Sequence, residues 1–159
     1  MKKIISKVLL LLSGMIIGAV SMGNLMNGKL IEKYILSEKH RILFQLMSIW
    51  VKVKQERASL PEYFHHNGMR NIAIYGFGAV GQLLKNELKG SDISATYIID
   101  RNTNSWSAED KIYTPDDELP DVDAIVVTAV TYFDEIEKML SPKMKCPIVS
   151  LEDILFDLV

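Results

Sequence analysis

The stretch that most restricts what this chain can fold into is NIAIYGFGAVG, residues 71–81, where a short apolar run leads directly into G-x-G-x-x-G. A run of that length bounded by glycine predicts a buried strand, and residues 79–89 carry a helical pattern. Strand, glycine turn and helix in direct succession give each glycine its own task. Gly76 turns the chain tightly, Gly78 lets a backbone amide approach a phosphate with no Cβ in the way, and Gly81 lets the helix pack close to the sheet. The first turn of that helix leaves N–H groups unpaired and presents the positive end of its dipole, so the amides of Phe77, Gly78, Ala79 and Val80 form an expected anion site.

An acid about 20 residues further on strengthens such a motif, and here Asp100 follows the apolar run ATYII, 19 residues after Gly81. Its carboxylate is placed to accept from both ribose hydroxyls, which favours NAD over NADP, while Arg101 beside it could hold a 2′-phosphate or stack on a base. Further strands are expected at 95–100, 123–129 and 146–150, with helices over 132–140 and 151–158. Ile/Val-rich strands alternating with helices imply an α/β fold, a short Rossmann-like parallel sheet of about four strands. Thr128 and Thr131 follow the third strand, where open sheets of this kind place ligands; they either contact a phosphate or ribose, or only cap the next helix. The rival reading of the motif is that its glycines merely permit a tight turn.

The chain ahead of this domain has another character. Val8–Met26 runs 19 residues without a charge, about 28 Å as a helix and enough to cross most of a hydrocarbon core of about 30 Å. Residues 1–28 are therefore expected to be a membrane anchor, with Ala19-Val20-Ser21 leaving a cleavable secretory signal as the alternative. Gly14 and Gly18 form a G-x-x-x-G pair that would let two copies approach closely, a route to a homodimer. Residues 29–57 hold no Gly or Pro and repeat Ile35, Ile42, Leu46, Ile49 and Val53 on one face, with Leu43, Met47 and Trp50 beside it. Such a stripe predicts a long amphipathic helix, packed on the following domain or a partner chain, or else lying in a membrane interface. Ser59-Leu60-Pro61-Glu62 has the capping-box pattern, so the folded domain is expected over 58–159.

Charge divides the same way. Residues 1–57 hold ten Lys/Arg against three Asp/Glu, and residues 58–159 eight against seventeen. A basic flank beside an apolar run suits an anionic leaflet, with the soluble part on the cytoplasmic side, whereas an acidic domain speaks against nucleic acid. The lone Cys146 cannot form an internal disulfide, and no Cys/His cluster has metal-ligand spacing. No Tyr-x-x-x-Lys pair is present to protonate a carbonyl, and no catalytic residue is assigned. S-adenosylmethionine is a further conceivable ligand, since it uses the same loop and acid.

From Ile49 onward the chain resembles small Rossmann-like modules of bacterial surface-polysaccharide gene clusters, which are nucleoside-diphosphate-sugar-epimerase-like. The resemblance is carried by W-x-x-x-K-Q, the Y-F turn, I-Y-G-x-G-x-x-G, a strand ending in I-D, D-A-I-V-V-T and P-I-x-S-L-E-D. It implies NAD or a nucleotide-sugar as ligand and carries Gly76, Gly78, Gly81 and Asp100 over by position. A glycosyltransferase or another polysaccharide-biosynthesis protein is the implied partner. Full epimerases have a catalytic Tyr/Lys and a sugar-binding half that this chain lacks, so the resemblance implies binding rather than turnover. The alternatives are an NAD-dependent enzyme subunit completed by a partner chain, and a scaffold that binds nothing.

Overall fold

The computed structural model describes residues 30–102 and 111–159. The expected anchor at 1–28 lies outside them, and among the described residues no helix is long and apolar enough to cross a membrane. Residues 30–55 are helical (α1), but the chain divides into two compact units between Leu43 and Phe44. In the first unit the described residues form helix alone. The second unit, Phe44–Val159, holds the sheet.

Within that unit the amphipathic stripe becomes core. Leu46, Trp50 and Val53 recur at helical spacing and are buried together with Leu60 and Phe64 of α2 (Leu60–His66). The folded unit therefore begins well before residue 58. Ser59 caps α2 as the sequence predicts, accepting the Glu62 amide at 3.4 Å. Gly68, with φ +72°, turns the chain out of that helix, because left-handed backbone is unstrained only without a Cβ.

Five parallel strands follow: β1 (Asn71–Tyr75), β2 (Ser94–Ile99), β3 (Ile112–Tyr113), β4 (Ala124–Val127) and β5 (Ile148–Ser150), in the spatial order β3-β2-β1-β4-β5. The expectation of about four strands is corrected by β3. At two residues it is too short to show any alternation, and it is defined by register instead, Ile98 opposite Ile112 and Ile99 opposite Tyr113. Each central strand is buried on both faces, which is why β1 and β4 read as unbroken apolar runs. Ile72 and Ile74 face α1, α2, α3 (Ala79–Leu88) and α5 (Leu151–Asp157). Ala73 and Tyr75 face the other way, toward Ile136 and Leu140 of α4 (Phe133–Leu140).

Two polar contacts lock this arrangement at its edges. Asp123, just before β4, accepts the amides of Asn71 at 2.7 Å and Arg70 at 2.9 Å, tying the starts of two adjacent strands together. On the β2 side, Tyr97 is buried edge-on against Tyr113 and donates its hydroxyl to the Pro120 carbonyl at 2.7 Å. Burial pushes that phenol up to about 12.

Candidate functional site

The chain runs outward from β1 to β2 and β3, then returns to β4 on the other side of β1. At such a reversal the loops after two adjacent strands diverge, and the sheet opens a crevice beyond its carboxyl ends. The glycine turn sits there. Gly76 adopts φ +86°, and its amide donates to the Ile99 carbonyl at 2.8 Å, so the turn stays hydrogen-bonded to β2. A Cβ built on Gly81 would lie 2.2 Å from the Gly76 carbonyl oxygen, so any side chain there forces helix and turn apart. Gly78 differs: nothing lies within 4 Å of where its Cβ would stand, and its φ is −66°. Neither fold nor backbone conformation demands glycine at 78, and the space beside it is open.

The turn is fastened from two sides. From β2, Asp100 accepts the Phe77 amide on Oδ2 at 2.7 Å and the Asn102 amide on Oδ1 at 2.9 Å. From β4, the buried Thr128 hydroxyl lies 2.6 Å from the Gly76 carbonyl and 3.1 Å from that of Tyr75. A hydroxyl has one hydrogen to donate, so the shorter contact with Gly76 is the principal bond. Thr128 therefore serves the turn from beneath. Thr131 lies in the short 3-10 turn Val130–Tyr132, and no side chain caps that turn or α4, whose N-cap is Tyr132, so neither threonine caps the helix. Phe77 is buried, with the Lys85 ammonium 5.6 Å from its ring centre, and Gln82 reaches back to the Phe77 carbonyl at 3.4 Å.

No side chain caps α3, whose N-cap is Gly78. As at any helix start, the amides of Gly78, Ala79, Val80 and Gly81 have no acceptor within the helix. Of the expected anion donors, only Phe77 has its amide taken by Asp100.

A cleft of about 360 Å³ opens beside the turn, lined at the strand ends by Tyr75, Gly76, Asp100, Arg101 and Ala129. Its other wall is Tyr132, Glu135, Ile136 and Met139. Gly76, Asp100 and Arg101 are thus brought together, while Gly78, Ala79, Val80, Gly81 and Thr128 are not part of its lining. Burial pushes the Tyr75 phenol up, and the Arg101 guanidinium bonded to it acts in the opposite direction. The wall from α4 was not singled out by the glycine motif. Its signal was nonetheless present, since 132, 135, 136 and 139 share one helix face at the mouth of the sheet. A second groove, of about 380 Å³, lies between α1 and α3 around Trp50, Val51 and Leu83, away from the strand ends. There Glu87 already accepts from Trp50 Nε1 at 2.7 Å and pairs with Lys54.

Chemically, the cleft offers the Asp100 carboxylate and the Arg101 guanidinium at its strand-end rim, and Ile136 and Met139 beside the phenols of Tyr75 and Tyr132, while the first amides of α3 lie outside its lining. Comparison with protein-family models, curated proteins and solved structures finds no match to the chain.

Proposed function

We propose that the chain is a membrane-anchored module that binds a nucleotide, a nucleotide-sugar or NAD, and acts as an accessory to bacterial envelope polysaccharide biosynthesis from the cytoplasmic face. The observation that carries the binding part is the pairing of Asp100 with the Phe77 amide beside an uncapped helix N-terminus. The pairing fixes the loop in the shape in which the following amides are unclaimed. A diphosphate would rest on Gly78, Ala79 and Val80, beside the open space at position 78 that a Cβ would begin to fill.

Asp100 keeps a role toward ribose in this reading, because each carboxylate oxygen can accept a second hydrogen bond. The base would lie along Ile136 and Met139. Asp100 and Glu135 both line the cleft, against Arg101 alone, a balance that disfavours a 2′-phosphate. The anchor reading rests on the composition of Val8–Met26, and the polysaccharide context on the residues that carry the resemblance.

Thermal melting against NAD, NADP, S-adenosylmethionine and UDP-sugars tests the binding reading. A ligand held at 100 times its Kd should stabilise the fold by about 2.7 kcal/mol. No shift with any of the four classes would leave the module without its proposed ligand.

A further inference from the structure

Among the described residues, the first two turns of α1 expose an apolar surface. Leu30 is 62% exposed, Ile31 60%, Tyr34 68% and Ile35 50%. At about 100° per residue these four side chains fall within one arc of about 140°, with Glu32, Lys33 and the single exposed Leu36 on the opposite side. The arc then closes. Glu38 and Arg41 enter it in the next turns, and Arg41 donates to Glu38 at 2.8 Å.

That interruption discriminates between occupants. A seam for a second helix would continue through successive heptads, whereas this one ends after about 10 Å of helix. The sequence supplies a different neighbour. Leu30 follows Met26, the last residue of the 19-residue uncharged run, by four positions, and four residues span at most about 14 Å even fully extended. If the run lies in a bilayer, Leu30 is held within about 14 Å of its hydrocarbon core, near enough for the apolar face that follows to fold back into the headgroup layer. Lys29, Lys33, Lys39 and Arg41 against Glu32 and Glu38 leave the same stretch at net +2, a sign that suits anionic headgroups. Tyrosine, moreover, favours that depth.

We infer that the face formed by Leu30, Ile31, Tyr34 and Ile35 lies in the headgroup layer of an anionic bilayer. The inference rests on the reading of Val8–Met26 as a membrane segment, but not on any ligand of the sheet domain. The full chain is reconstituted in phosphatidylcholine/phosphatidylglycerol vesicles as Cys146→Ser, with Tyr34→Cys carrying an environment-sensitive fluorophore, and Phe156→Cys, on the exposed face of α5, as the water-facing reference. The label at 34 should be blue-shifted and quenched several-fold less by aqueous iodide than the label at 156. Ile31→Ser with Ile35→Ser should remove much of that protection without changing the melting of the sheet domain. Equal quenching at both positions, in a chain that resists alkaline carbonate extraction, would overturn the inference and leave the anchor standing. Release by carbonate would remove anchor and inference together. Protection that vanishes as the chain is diluted in lipid would assign the face to a second copy instead, and so also overturn it.

Discussion

Asp100 Oδ2 accepts the amide hydrogen of Phe77 at 2.7 Å, joining the end of β2 to the turn that follows β1. The contact makes one carboxylate both a structural clamp and the rim of the crevice. Asp100→Ala should therefore lower the stability of the ligand-free protein, by about 1.5 kcal/mol for a lost hydrogen bond to a charged group. Asp100→Asn retains an acceptor and should lose less. Urea unfolding of the three proteins measures the order; an alanine variant as stable as wild type would show that the clamp carries no load.

The two glycines of the turn should separate fold from function. Gly81→Ala places a methyl against the Gly76 carbonyl, 2.2 Å away, and should cost about 1–3 kcal/mol as backbone and helix shift. Gly78→Ala meets open space at an ordinary φ, and should change stability by no more than about 0.5 kcal/mol. Yet it should abolish or strongly weaken ligand-dependent stabilisation. Equal effects of the two substitutions on unfolding would contradict this division.

Thr128→Val keeps the volume but removes the donor beneath the Gly76 carbonyl. The partly buried Gly76 carbonyl left without this donor should cost about 1 kcal/mol, and Thr128→Ser should restore most of it. Hydrogen exchange should report the loss locally, as faster exchange in the valine variant at Gly76 and Phe77, whose amides are hydrogen-bonded in the turn. Unchanged exchange there would mean that Thr128 does not hold the turn.

Asp123 sets an acid limit. The backbone amides of Asn71 and Arg70 hold its carboxyl below the usual range. A depressed carboxyl stabilises the fold above its unfolded value of about 3.9 and loses that contribution as pH falls through the lower, folded value. Melting curves should thus show Asp123→Asn less stable than wild type at neutral pH, with the gap closing below about pH 4. A gap independent of pH would refute the assignment.

Much of this architecture could be read from residue order. β1, the glycine turn, α3 and Asp100 announce themselves because a buried strand, a left-handed Gly76 and a crowded Gly81 each demand a particular residue type. What escaped the sequence is set by tertiary contact. β3 is two residues whose only distinction is pairing with Ile98 and Ile99. The apolar positions of α1 recur at 35, 42, 46, 49 and 53, but full burial begins at Leu46, which packs with Leu60 and Phe64 of α2. Thr128 sits at a strand end where either an outward or an inward hydroxyl was compatible with the pattern. Its inward bond to Gly76 is decided by the neighbouring strand.

The central claim is that an anionic ligand rests on the amides of Gly78, Ala79 and Val80. Amide-resolved NMR of the domain during titration with NAD or a UDP-sugar addresses it directly. The account predicts saturable shifts at Gly78, Ala79 and Val80, accompanied by Asp100 and Ile136. Ligand-induced shifts confined to other surfaces, or none at these amides at saturating ligand, would contradict it.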